Sequence, residues 1–172
     1  MPDARDAVDD LLEAWKEVRP DLDPLPLGVV GRVIVLAQHL ERSVANALSI
    51  HGLTLGQFDI LATLRRQGPK GGLTPTQLLG NVMLSSGGMT SRLDTLERQE
   101  WITRRPDPTD RRGVIIDLTP KGRKLIDAAT ATRFEDAAQS LPELPPGERE
   151  QLESLLRNWL GRYAPSTKRN LN

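Results

Sequence analysis

Residues 85–119, SSGGMTSRLDTLERQEWITRRPDPTDRRGVIIDLT, restrict the fold of this chain more than any other stretch. They spell helix, strand, charged hairpin, strand. Ser85 or Ser86 carries the hydroxyl that can accept from a free backbone N–H in the first turn of a helix. Met89, Leu93 and Leu96 then recur at i, i+4 and i+7, a single apolar stripe. Gly87, Thr90, Ser91, Asp94 and Arg98 fall on the other side, which is small and polar. Trp101 to Arg105 and Val114 to Leu118 alternate apolar and polar, as half-buried strands do. The turn between them, Pro106 to Gly113, ends on Arg111 and Arg112. A polar-faced helix followed by a basic hairpin fits a winged helix-turn-helix. Such a helix fills a major groove about 12 Å wide, while the wing tip reaches the backbone or the minor groove.

The upstream sequence supplies the rest of that unit. Thr54-Leu55-Gly56-Gln57 and Thr74-Pro75-Thr76-Gln77 are both capping boxes, the second with proline at the first helical position. They open one helix through about residue 67 and a short one ending near Asn81, joined by the loop Gly68 to Gly72. A tight turn then leads to the helix at 85.

The flanks read as helices. Residues 4–19 place Val8, Leu11, Leu12, Trp15 and Val18 on one side; Pro20, Pro24 and Pro26 follow as a stiff connection. A long helix over 27–50 carries Val29, Val33, Leu36, Leu40, Val44, Ala47 and Leu48 as its buried face, and His51-Gly52 closes it. After the wing, a helix from Thr119 to about Ser140 presents Leu125, Ile126, Ala129 and Phe134, and a last helix over 147–163 presents Leu152, Leu155, Leu156, Trp159, Leu160 and Tyr163. These flanking helices have more apolar surface than a small winged helix can cover. They are candidates for a homodimer interface, and a dimer sets two recognition helices about 34–36 Å apart, to match a palindrome.

The fold expected is therefore mainly α with a small β-wing. Residues 1–52 form N-terminal helices, 53–118 the winged helix-turn-helix, 119–164 the C-terminal dimerisation helices, and 165–172 a polar, disordered tail.

Composition limits the functions. With no cysteine there is no disulfide, thiolate metal site or cysteine redox sensor. His39 and His51 lie twelve positions apart, which makes no zinc motif. No triad with a placed histidine and no phosphate loop is present, so an enzyme is not expected and no cofactor is called for. No run of about 18 apolar residues suggests a membrane span. The acidic N-terminus lacks the features of a signal peptide, which points to the cytoplasm. Net charge is zero, but it is segregated: an acidic arm from Asp3 to Asp23 and a basic middle from Arg98 to Lys124.

The order of elements, together with RRPDPTDRRGVIIDLTPKG and SSGGMTSRLDTLE, resembles the MarR family of bacterial transcriptional regulators over nearly the whole chain. The wing motif Asp107, Asp110 and Arg112 is the most specific part. The resemblance implies a homodimer that binds a pseudo-palindrome in double-stranded DNA and lets go when a small ligand binds, most often as a repressor. DNA contact then falls to Ser85, Ser86, Gly87, Thr90, Ser91, Arg98, Arg111 and Arg112, with Asp107 and Asp110 shaping the wing. The chain is also similar to the urate-responsive subgroup of that family, which has an extra N-terminal helix with a tryptophan. By that likeness Trp15, Asp59, Arg66, Arg92 and Arg104 are ligand-binding, and the effector is urate or a related purine. Arg92 sits at the edge of the apolar stripe, so it can turn back toward the protein body. Other expectations compatible with this fold are a regulator of efflux or catabolic genes that answers a phenolic carboxylate, and a winged helix that binds protein.

Overall fold

The computed structural model describes residues 5–68, 72–82 and 88–163. Among them run α1 (Ala7–Val18), α2 (Leu25–Ser49), α3 (Leu55–Arg66), α4 (Pro75–Asn81), α5 (Met89–Arg98), β1 (Ile102–Pro106), β2 (Val114–Leu118), α6 (Pro120–Ser140) and α7 (Pro146–Leu160). Backbone packing divides the described residues into two compact units, one up to Ser140 and one from Leu141. In the first, α2, α3 and α6 share a core that runs across positions 52/53 and 118/119.

Local chemistry sets the helix ends. Thr54 accepts from Gln57 N at 3.3 Å while Gln57 accepts from Thr54 N at 2.9 Å, and Thr74 and Gln77 repeat the exchange at 3.2 and 2.9 Å. Both capping boxes are thus formed as the sequence predicts. Gly52, at φ 67°, lets the chain leave α2 so that Leu53 N donates to Leu48 O. Pro26 lies inside the first turn of α2 rather than in the connection before it. A proline there removes only an N–H that has no helical partner.

The core is aliphatic. Leu48, Ile60, Leu61, Leu78, Leu96, Ile102, Ile116 and Ile126 are fully buried. β1 pairs antiparallel with β2 from Ile102↔Leu118 to Pro106↔Val114. Leu73, ahead of α4, adds a bridge to Ile116 on the other edge of β2, through hydrogen bonds of 3.0 and 2.9 Å. The sequence gives little sign of this third strand-like contact, because only one residue takes part. At Gly122 a β-carbon would fall 1.9 Å from the Trp101 carbonyl oxygen, so only glycine lets the start of α6 approach the base of the wing this closely.

Two expectations about buried faces fail in one chain. On α2 only Gly28, Val44 and Leu48 are buried, while Val29 and Leu36 remain 52% and 57% exposed. Helix α1 meets that stretch at Gly28 and Gly31 and leaves these side chains exposed. On α6 the inner face runs Gly122, Ile126, Ala129, Asp136, and Phe134 points outward. Asp136 is tolerated inside because Ser43 Oγ donates to it at 2.5 Å and Arg133 pairs with it at 3.1 Å. His51 is tied into the same interface by a 2.8 Å hydrogen bond to Thr132.

Candidate DNA interface and effector site

The recognition helix α5 begins at Met89 behind Gly88, which takes the left-handed conformation at φ 78° and makes no side-chain cap. The sequence-based start at residue 85 is therefore too early. Ser85, Ser86 and Gly87 lie outside the described residues. The stripe of Met89, Leu93 and Leu96 is buried, and Thr90, Ser91, Asp94 and Arg98 are exposed. That division follows from one turn of helix: the apolar residues meet α3 and β1, which leaves the polar residues outward.

The wing tip is built by its acids. Asp107 accepts from Thr109 N at 2.8 Å and Thr109 Oγ1 at 2.7 Å, and Asp110 accepts from Arg112 N at 2.9 Å. Backbone bonds from Gly113 N to Asp110 O and from Asp107 N to Gly113 O close the loop. The Thr109 hydroxyl and amide hold the Asp107 carboxyl below the usual carboxylate range. A β-carbon at Gly113 would lie 2.8 Å from that of Asp107, so glycine is required at this close approach.

Charge is arranged unevenly along the wing. At its base Arg104 pairs with Asp94 at 2.6 Å and with Glu97 at 2.8 Å, both on α5, and Arg105 pairs with Asp117 at 2.5 Å. At the tip Arg111 and Arg112 are exposed, and no carboxylate among the described residues stands within ion-pair distance of either. The arginines at the base are ion-paired, and those at the tip are not. Arg98, exposed at the end of α5, donates only to Thr95 Oγ1, at 3.2 Å.

The residues assigned to an effector fall into separate settings. Arg92 turns inward across α3, where a β-carbon at Gly56 would meet its Nε at 2.8 Å. Gly56 makes room for this side chain, a role that sequence reading missed. Asp59, one turn further along α3, is buried. Arg66 borders a cavity of about 520 Å³ between α3 and α6, lined by Phe58, Arg133 and Phe134 among others, and donates to Thr63 Oγ1 at 2.8 Å. Beside it Arg65 pairs with Asp127 at 2.6 Å. Arg104 spans wing and recognition helix as described. Trp15 stands on α1, 49% exposed.

The MarR family profile matches residues 53–114, the span from the α3 cap to the second wing strand. The HTH-type transcriptional regulator PecS of Dickeya dadantii is 36% identical over 149 residues, covering 87% of this chain and 90% of PecS. The chain belongs to the MarR family. The multiple antibiotic resistance protein MarR of Salmonella typhimurium is 34% identical over 133 residues, covering 76% of this chain and 90% of that one. A variant of Escherichia coli MarR solved in complex with operator DNA superposes with a TM-score of 0.67 at 27% identity, over 85% of this chain and 97% of that chain. A family member from Streptomyces coelicolor, also solved with DNA, shares the fold at a TM-score of 0.75 and 22% identity, over 84% of this chain and 91% of that one. As a MarR-family chain, the protein is a DNA-binding transcriptional regulator and not an enzyme. No helix among the described residues is long and apolar enough to cross a membrane.

Proposed function

We propose that this MarR-family chain is a homodimeric repressor that grips a pseudo-palindromic operator and is released by a small anionic aromatic ligand such as urate. One observation carries the DNA half: the exposed Thr90, Ser91 and Arg98 on α5 stand beside a wing whose tip arginines lack carboxylate partners, while those at its base are paired. In this reading α5 enters the major groove, and Ser85, Ser86 and Gly87 are among the DNA-contacting residues. Arg111 and Arg112 reach the minor groove, where a narrow A·T stretch concentrates negative potential. A relative of the same fold solved in complex with operator DNA supports DNA as the partner. The exposed apolar residues of α2 and those of α7, such as Leu155 and Leu160, supply surface for a second copy.

For the effector, Arg92 of α5 lies over Gly56 of α3, with Asp59 one turn further along that helix, and a ligand that draws Arg92 away from Gly56 shifts the recognition helix. Trp15 supplies a stacking face, and Arg66 and Arg104 supply donors for the anion. Differential binding to the free and DNA-bound states is what such release requires. A second reading keeps the regulator and changes its ligand. The cavity lined by Phe58, Phe134 and Arg66 offers apolar faces and a cation to a phenolic carboxylate.

Fluorescence anisotropy with DNA from upstream of the protein's own gene, at one fixed salt concentration, tests these statements together. Specific binding that urate reverses is the expected result. Release by a phenolic carboxylate and not by urate moves the effector to the second reading. Equal binding of specific and random DNA by the wild type, and no loss in Arg112→Ala, would leave a protein-binding winged helix instead.

A further inference from the structure

Helix α1 is held to the rest of the chain by little apolar contact. Val8 is its one buried residue among those described, and Leu11, Trp15 and Val18 are exposed. The contact is a shallow notch: a β-carbon at Gly28 would lie 3.0 Å from Leu12 Cδ1, and one at Gly31 would lie 3.4 Å from Val8 Cγ1. Charge does the remainder. Arg32 on α2 donates from Nε to Asp6 at 2.8 Å and from Nη2 to Asp9 at 2.6 Å. Those two carboxylates also cap α1. Asp6 accepts from Val8 N at 2.9 Å and Asp9 N at 3.0 Å, and Asp9 accepts from Asp6 N at 3.0 Å. One guanidinium therefore ties the start of the helix to its docking site, 26 positions away in sequence.

We infer that Arg32 is the positioning residue of the N-terminal arm: it docks α1 on α2 and thereby sets where Trp15 stands. The consequence for effector response rests on the reading of Trp15 given above. The docking itself does not. Because the ion pairs are partly exposed, the arm is held by a modest, screenable attraction, and it is the element of this unit most open to release.

Hydrogen exchange on the full-length protein, wild type against Arg32→Gln and Arg32→Lys, tests the docking. Amides of residues 7–18 are expected to exchange about three- to tenfold faster in Arg32→Gln, with Arg32→Lys between it and wild type and α6 unchanged. Acrylamide quenching of Trp15, isolated by subtracting the Trp15→Phe protein, rises in parallel. DNA affinity without effector stays within about twofold, while the urate needed for half release rises about as much as the exchange rate does. Unchanged exchange and quenching in Arg32→Gln overturn the proposal, and so does faster exchange with an unaltered Trp15. If wild type ignores urate, the effector reading falls, and exchange and quenching still decide the role of Arg32. Should Arg32→Gln not fold, Asp9→Asn and wild type moved from about 0.1 to about 1 M salt give the same readout, since the screening length drops from about 10 to about 3 Å.

Discussion

The winged helix-turn-helix and the first two-thirds of α2 are both rich in aliphatic residues, and one chain treats them in opposite ways. From Leu53 to Ile116 twelve hydrophobic side chains among the described residues, most of them on α3, α4, α5 and the wing, are 8% or less exposed. Along α2, Val29, Val30, Val33, Leu36 and Leu40 stay between 36% and 57% exposed. The difference lies in neighbours rather than in composition. The first region brings several elements together around one centre. The second is one stretch of helix, which α1 meets at Gly28 and Gly31 while these side chains stay exposed. A reading surface carried by a finished core keeps its shape whether or not a second copy is present. A surface that is half a core becomes complete only with a partner.

That contrast gives its largest prediction in stability. Leu61→Ala, in the finished core, should cost about 2–5 kcal/mol in chemical denaturation at every protein concentration. Leu36→Glu should instead leave the helical signal intact and disrupt self-association, seen as a lighter species in sedimentation. Its loss of stability should depend on protein concentration. A Leu36→Glu protein that still sediments like wild type would break the comparison.

Next in size is the difference between wing tip and wing base. Replacing both Arg111 and Arg112 by Ala should weaken operator binding by at least about 1–3 kcal/mol and, with two wings in the dimer, reduce the salt slope by up to about four. Arg105→Ala removes a side chain already paired with Asp117, so its salt slope should change by less than about one. Equal slopes for tip and base variants would mean that pairing does not decide which arginines face the phosphates.

The smallest effect concerns the tip's own shape. Thr109 donors lower the Asp107 pKa on folding, so Asp107 stabilises the wing above its unfolded value of about 3.9 and that contribution is lost as pH falls through the folded value. Protection of the Thr109 amide, its exchange rate measured against the intrinsic rate at each pH, should fall on acidification below about pH 4 in wild type, and Asp107→Asn should flatten that dependence. A profile unchanged by the substitution would assign the turn to its backbone bonds alone.

Much of the fold was legible because its signals are local. The capping boxes at Thr54 and Thr74 mark helix starts within four residues, and the Met89, Leu93, Leu96 stripe marks a buried face within three turns. The start of α5 was misplaced because serine in SSGG reads as a cap, whereas the helix begins behind Gly88 in a left-handed conformation. Phe134, expected on the apolar side of α6, is exposed, and Asp136 is buried there. Hydrophobicity alone cannot anticipate a carboxylate satisfied by Ser43, 93 positions earlier.

The sequence by itself determined the order of elements, the wing and the outward polar face of α5, since each depends on residues a few positions apart. Tertiary structure decided which charges remain available. Arg104 is occupied by Asp94 and Glu97, Arg92 is folded over Gly56, Arg66 borders a cavity with α6, and Arg32 is spent on holding α1. An arginine's charge is written in the chain, but its partner is chosen by packing between distant elements, and packing is what a single sequence leaves open.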